Sequence, residues 1–220
     1  SPARRPAARP CPDGPARIAP LNVLAHALLA EQAGCSLIGN LLGDFVRGAP
    51  PAAYPLAWQR GIRLHRRIDG FVDQHAASAR SVVRLPAEQR RWARVALDVY
   101  YDHLLARDWA RYSSLPLARF AAGVYSALER HRPALPPDLA RFAGFMVERD
   151  LLVGYREPAV IEEVLIRMAG RVRRPNTLAA AFAGLVAARD GIGQDLDELF
   201  PATLAFARSE VAARSQQPPA

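Results

Sequence analysis

The chain has 220 residues, of which 50% are hydrophobic and 23% are charged, values typical of a single globular domain. Its 29 basic residues outnumber its 21 acidic residues, so the formal net charge is +8 at neutral pH. No apolar run reaches the ~20 residues that a transmembrane helix needs, and two cysteines are too few for a disulfide framework. The composition therefore argues against a membrane-spanning protein and against a secreted protein stabilised by disulfides. It predicts a soluble, cytoplasmic protein.

The two ends of the chain differ in composition from its middle. Residues 1–20 contain six prolines and four arginines without a periodic apolar pattern, which predicts a disordered leader. Residues 215–220, which end in Gln-Gln-Pro-Pro-Ala, have the same character and predict a disordered tail. We therefore expect one folded domain over residues 21–214.

Between these ends, apolar residues recur at helical spacing in segments that proline or glycine separates. Asn22 stands where a helix N-cap is expected, and no turn sequence typical of a β-hairpin occurs. The sequence therefore predicts an all-α fold. The predicted helical segments are 23–31, 36–47, 57–71, 86–113, 117–129, 137–150, 158–168, 176–188 and 193–215.

Three of these segments carry acids and histidines at positions that suit a metal site. Asp44 lies in a glycine-rich turn, and His65 and Asp69 are four residues apart, so they share one face of a helix. Asp98 and Asp102 repeat that spacing on another helix. Carboxylates and imidazoles that converge from separate helices are typical ligands of divalent metals. The pattern predicts a metal-dependent enzyme, and the competing interpretation is a set of buried salt bridges to arginines.

Other candidate residues have a purely structural interpretation as well as a functional one. His26 lies on an apolar helix, where a hydrogen-bonded core histidine is the commoner case. Arg171, Arg173 and Arg174 form a basic cluster that suits phosphate or an acidic helix, although such clusters are more often only solvated. The sequence lacks a glycine-rich phosphate loop, a Gly-x-Ser-x-Gly motif and zinc-type cysteine spacing.

Longer motifs, in order and over most of the chain, resemble the acyl carrier protein phosphodiesterase family. The resemblance runs from about Leu21 to Ser209. The matching motifs are Asn22-x-Leu24-Ala25-His26, Gly39-Asn40-Leu-Leu-x-Asp44-Phe-Val-Arg47-Gly48, Gly61-Ile-x-x-His65-Arg66-Arg67-Ile68-Asp69, Asp73, Leu97-Asp98-Val99-x-x-Asp102-His103-x-Leu105, Leu152-Val-x-Tyr155-Arg156 and Met168-Ala-x-Arg171 with the region to Pro175.

That family is similar to the HD-domain phosphohydrolases, so the resemblance implies an all-helical, metal-dependent fold with Mn²⁺ as the expected activator and Mg²⁺ as the alternative. It implies hydrolysis of the phosphodiester that joins 4′-phosphopantetheine to a serine of holo-acyl carrier protein. This carrier is a small acidic helical protein, which suits the net positive charge. The chain departs from the pattern at Leu21, where the family usually begins with methionine, and in the order Asp102-His103, which replaces the His-Asp doublet.

The resemblance also implies roles for individual residues. The expected metal ligands are Asp44, His65, Asp69 and Asp102. The residues expected to transfer a proton or to complete the metal sphere are His103 and His26. The phosphate-binding candidates are Arg66, Arg67 and Arg47, and the candidates for docking the carrier protein are Arg171, Arg173 and Arg174. Two alternatives stay open: a metal-dependent phosphohydrolase of nucleotides or another small phosphodiester, and a non-enzymatic basic helical protein that binds nucleic acid. The arginines are spread along the chain and the aromatic residues follow buried stripes, so we expect neither a nucleic-acid nor a membrane partner.

Overall fold

The computed structural model describes residues 22–215, so the expected leader and residues 216–220 of the expected tail lie outside the described residues. Within the described range the chain is helical without strands, which confirms the all-α prediction. The helices are α1 (Val23–Gln32), α2 (Leu37–Leu41), α3 (Leu56–Gln74), α4 (Ala76–Arg84), α5 (Ala93–Arg107), α6 (Leu117–His131), α7 (Pro137–Glu148), α8 (Leu151–Gly154), α9 (Pro158–Arg171), α10 (Leu178–Ala187) and α11 (Arg189–Ser215).

The structure shortens the predicted segment over 36–47 to α2 and a 3-10 turn at Leu42–Asp44, and it adds the short helix α8. The largest differences lie between α3 and α6. The long segment over 86–113 is broken into a 3-10 turn at Ala87–Gln89, then α5, then a second 3-10 turn at Trp109–Arg111. Helix α4 was not predicted, because its sequence has few large apolar residues and begins without a usual capping residue. In the structure the His75 imidazole caps it by accepting the N–H of Ala77 at 3.2 Å.

Helix α5 forms the centre of the core. Its residues Val99, Tyr100, Leu104 and Leu105 are almost completely buried, and α1, α4, α9 and α10 pack around it. Truncating one buried leucine to alanine typically lowers the free energy of unfolding by ~2–5 kcal/mol. The packing against α5 therefore stabilises the position of α1. Helix α3 lies against α2, α4 and α11 instead.

Two glycines let α2 and α3 approach at backbone contact. A Cβ atom on Gly39 would lie 2.6 Å from the backbone of Trp58, and one on Gly61 would lie 2.6 Å from the carbonyl carbon of Gly39. Any larger residue at either position would push the two helices apart. The contact places the 3-10 turn at Leu42–Asp44, which follows α2, directly against the middle of α3.

The first turn of α1 is capped by a side chain from α5. The two carboxyl oxygens of Asp102 accept the backbone N–H groups of Leu24 and Ala25, each at 2.8 Å. Asn22 occupies the N-cap position as predicted, but its side chain makes no capping hydrogen bond. Asp102 therefore satisfies two of the amide donors that a helix start leaves without an intrahelical partner.

A buried carboxylate joins α4 to α11. Asp195 accepts hydrogen bonds from Arg84 Nε at 2.7 Å, Arg80 Nε at 2.9 Å and Ser81 Oγ at 3.0 Å. Burial raises the pKa of Asp195, but the hydrogen bonds from Arg84, Arg80 and Ser81 outweigh burial and hold the pKa below its ordinary value. The ionised carboxylate is therefore the form that the fold favours.

Candidate metal centre

Side chains from three elements converge on one point beside α3. His65 Nε2 lies 3.1 Å from Asp44 Oδ1 and 3.2 Å from Asp69 Oδ2. His26 Nε2, from α1, lies 3.1 Å from the other oxygen of Asp69. The two imidazole rings stack, with centroids 3.9 Å apart. We refer to His26, Asp44, His65 and Asp69 as the His/Asp cluster.

The donor atoms of this cluster are of the type and spacing that hold a divalent cation. One donor atom each from His26, His65 and Asp69 lies within 4.8 Å of the others, and Asp44 adjoins them through His65. Imidazole nitrogens combined with carboxylate oxygens suit borderline divalent metals. The structure therefore brings together three of the four predicted metal ligands and adds His26, which the sequence had placed among the residues for proton transfer.

Two residues that the sequence reasoning did not single out position the histidines. The Oδ1 atom of Asn40 accepts a hydrogen bond from His26 Nδ1 at 2.9 Å, which turns Nε2 toward Asp69. A Cβ atom on Gly43 would lie 2.2 Å from the ring of His65, so only glycine leaves room for that ring. Both residues belong to the motif over 39–48. The asparagine and the second glycine of that motif are the features of the sequence that could have indicated this positioning role.

Burial and the charges of neighbouring groups shift the pKa values of the cluster residues in opposite directions. Burial lowers the pKa of His65, but hydrogen bonds to Asp44 and Asp69 outweigh burial and raise the pKa to about 10. Burial raises the pKa of Asp69, but hydrogen bonds with His26 and His65 hold the pKa below its ordinary range. Near neutral pH, His65 is therefore protonated and Asp69 is ionised.

Asp98, one turn before Asp102 on α5, adds a further acid to this region. Burial raises the pKa of Asp98 well above its ordinary value, and repulsion from Asp69, Asp102 and Asp44 raises it further. Acidic groups are thus in excess around the cluster, an arrangement that a bound cation would relieve.

Asp102 and His103 have contacts outside the His/Asp cluster, and their predicted site roles stay predictions. Both oxygens of Asp102 accept amide N–H groups of α1. His103 is buried, and its Nδ1 donates a hydrogen bond to the carbonyl of Tyr155 at 2.8 Å. Burial lowers the pKa of His103, so this ring is neutral in the core. Through these contacts both residues stabilise the helix packing.

Arg66 and Arg67 have partners within the protein, and their predicted phosphate-binding roles stay predictions. Arg66 donates to the carbonyls of Val46 at 2.5 Å and Gly48 at 2.6 Å, so it fixes the loop after Asp44 against α3. Arg67 forms an ion pair with Glu210 at 2.5 Å and so links α3 to α11. Both guanidinium groups therefore take part in structural contacts.

The remaining predicted arginines lie on the surface at two places. Arg47 is exposed in the loop between Asp44 and α3. Arg171, Arg173 and Arg174 are exposed at the end of α9 and in the connection to α10. Since α9 and α10 pack on α5 and on each other, this cluster belongs to a different part of the bundle from α3 and the His/Asp cluster.

The His/Asp cluster borders a small pocket and has one exposed member. His26, Asp44 and His65 line one side of the pocket, and apolar residues of α7, including Phe142 and Met146, line the other. The side chain of Asp69 is 37% exposed, whereas those of His26 and His65 are 2% exposed. Asp69 is therefore the member of the cluster that a ligand from solvent contacts most readily.

Comparison with known proteins identifies relatives of the whole folded region. Three bacterial proteins named acyl carrier protein phosphodiesterase are similar to this chain. The protein of Enterobacter sp. (strain 638) is 35% identical over 191 residues, 86% of this chain and 99% of that protein. The protein of Serratia proteamaculans (strain 568) is 40% identical over 164 residues, 74% of this chain and 85% of its own length. The protein of Salmonella dublin is 36% identical over 190 residues, 85% of this chain and 97% of its own.

No solved structure matches the chain significantly, so the likeness to the HD-domain fold stays a prediction. Across residues 22–215, every helix is too short or too polar to cross a membrane. A family model described as acyl carrier protein phosphodiesterase matches residues 21–203. This match and the full-length relatives show that the chain belongs to the acyl carrier protein phosphodiesterase family.

Proposed function

We propose that the protein hydrolyses the phosphodiester between 4′-phosphopantetheine and a serine of holo-acyl carrier protein, with a divalent cation, Mn²⁺ or Mg²⁺, held by the His/Asp cluster. Water attacks the phosphorus and forms the new P–O bond. The P–O bond to the serine breaks, and the serine oxygen leaves and takes up a proton. The products are apo-carrier protein and 4′-phosphopantetheine. A cytoplasmic location belongs to the same proposal.

The convergence of two imidazoles and two carboxylates is the observation that supports this proposal. When bound, a divalent cation supplies Lewis acidity to the phosphoryl oxygens and to the attacking water. The donor atoms of His26, His65 and Asp69 lie close enough together to share one ion. The family match, which names a phosphodiesterase, favours this chemistry over the two alternatives, a nucleotide phosphohydrolase and a nucleic-acid-binding protein.

The protein groups around the ion would have distinct tasks. Asn40 holds His26 in one orientation, which presents Nε2 to the cation. His65 gives up its proton when the cation binds, because only a neutral imidazole coordinates a metal. Asp69 lies at the opening of the site, where the phosphodiester enters. The buried donors of His26 and His65 would hold the ion away from bulk solvent.

The direct test is turnover of holo-acyl carrier protein by metal-depleted protein, with and without added Mn²⁺ or Mg²⁺. We expect mass spectrometry to show loss of 4′-phosphopantetheine from the carrier protein only when metal is restored. A family relative supplies the positive control for substrate quality. Intact holo-carrier protein at high enzyme concentration with metal present, beside a working relative, would refute the proposal. Preferential cleavage of a nucleotide in the same assay would favour the first alternative.

A matched pair of variants tests the site itself. Asp69→Asn removes the charge of the exposed ligand and should abolish both Mn²⁺ binding and turnover. Asp73→Asn makes the same change one turn later on α3, where Asp73 is exposed and pairs with Arg94, and it should keep both. Equal turnover by the two folded variants would remove Asp69 from the site.

A further inference from the structure

The chemistry of the proposed reaction constrains where the carrier protein binds, and the inference below rests on that proposed function. The scissile phosphate is joined directly to a serine side chain of the carrier protein. When the phosphate reaches the His/Asp cluster, the carrier surface around that serine must therefore lie against the rim of the site. The partner-binding surface is the one that surrounds the opening at Asp69.

This rim is basic. Residues 45–68, which include the loop after Asp44 and most of α3, contain five arginines and no acidic residue. Three of these arginines, Arg47, Arg63 and Arg66, form what we call the arginine face. Arg67 is neutralised by its ion pair with Glu210. Arg60 precedes Asp69 by nine residues, about two and a half helical turns, so it lies on the opposite side of α3.

The arginine face starts at the site opening and follows α3. Arg66 and Arg63 precede Asp69 by three and six residues. Each step of three residues turns ~60° around a helix and advances ~4.5 Å, so Arg63 lies ~9 Å along the helix from Asp69. Arg66 also holds the carbonyls of Val46 and Gly48, which keeps the loop with Arg47 beside these two arginines.

Two members of the face are available to a partner. Arg47 is exposed, Arg63 is half-buried, and neither forms an ion pair with any residue in the part of the chain that the structure describes. Cationic groups without an internal acid suit the surface of a small acidic helical protein.

We propose that the arginine face docks the acidic surface of the carrier protein around its modified serine. This assignment replaces the cluster of Arg171, Arg173 and Arg174 that the sequence suggested. That cluster has more exposed arginines, but it lies at the end of α9 and in the connection to α10, and these two helices pack on α5. Proximity to the opening, and not the number of arginines, selects the docking surface.

Two double variants with equal net charge separate local docking from overall attraction. The docking variant is Arg47→Glu and Arg63→Glu; the control variant is Arg173→Glu and Arg174→Glu. Both lower the formal net charge from +8 to +4. Arg66 is left in place because it holds the loop. Circular dichroism and Mn²⁺ affinity report whether each variant keeps its fold and its metal site.

Fluorescence anisotropy with labelled apo-carrier protein measures docking without any reaction, so this test stays separate from that of the proposed function. We expect the docking variant to bind at least about tenfold more weakly than the unaltered protein, and to lose most of the salt dependence of binding. The control variant should bind within about twofold of the unaltered protein at ~0.15 M salt, where exposed charges are screened over ~8 Å. Equal weakening of both variants, or unchanged binding by the docking variant, would overturn the assignment.

Discussion

Replacement of Asp102 distinguishes a helix cap from a metal ligand. Asp102→Ala leaves the N–H groups of Leu24 and Ala25 without their acceptor, and the first of these is buried. Asp102→Asn keeps one acceptor oxygen and presents an NH₂ group to the other amide. We expect both variants to destabilise the fold and to leave the metal affinity of the folded protein unchanged.

The contacts set the size of the effect. A buried amide that loses its acceptor costs ~1–3 kcal/mol, so Asp102→Ala should lower the free energy of unfolding by about 2–6 kcal/mol and Asp102→Asn by about 1–3 kcal/mol. A domain of this size loses roughly 2–4 °C of melting temperature per kcal/mol. Asp102→Asn should therefore melt about 2–12 °C below the unaltered protein, and it serves as the test variant if Asp102→Ala does not fold.

Thermal melts by circular dichroism and Mn²⁺ titration by calorimetry measure the two quantities separately. Asp69→Asn provides the opposite control, with metal affinity lost and the helices intact. If Asp102→Asn melted normally and lost metal affinity as completely as Asp69→Asn, Asp102 would be a ligand and the capping argument would be wrong.

Two further predictions concern packing at the site and stability in acid. Gly43→Ala places a Cβ atom 2.2 Å from the His65 ring, so calorimetry should show at least about tenfold weaker Mn²⁺ binding, whereas Gly70→Ala meets nothing within 4 Å and should bind normally. Asp195→Asn should lower the free energy of unfolding by about 1–3 kcal/mol at neutral pH, because Arg84 loses a charged acceptor. The pKa of Asp195 is depressed in the fold, so its stabilisation exists above the ordinary pKa of ~3.9 and disappears as the pH falls through the folded pKa. Urea titrations from neutral pH to pH ~2 should show the difference between variant and unaltered protein shrinking, and a constant difference would contradict this reasoning.

The sequence predicted those parts of the site that local spacing determines. His65 and Asp69 share a helix face at any tertiary arrangement, and the glycines around Asp44 marked a turn. The predicted all-α class followed in the same way from apolar periodicity. These features depend on residues that are close in sequence, so the sequence alone is enough to predict them.

The sequence did not reveal which partner each polar group has in the folded protein. Asp102 has the same four-residue spacing to Asp98 that His65 has to Asp69, yet it faces the start of α1. Arg66 follows His65 directly, yet it binds backbone carbonyls of a loop. These contacts join residues 20 or more positions apart, and only the packing of helices determines them.

The cap on α1 has a consequence for the order in which the chain folds. Helix α1 has ten residues, too few to be stable alone in water, and its first amides pair with a residue 78 positions later. On the ribosome, the imidazole of His26 is therefore not set in place until α5 has been synthesised and docked. A nascent chain that ends before α5 would hold Asp44, His65 and Asp69 but would lack this fourth donor in position. The cation proposed for the His/Asp cluster should consequently bind only after synthesis of the central helix.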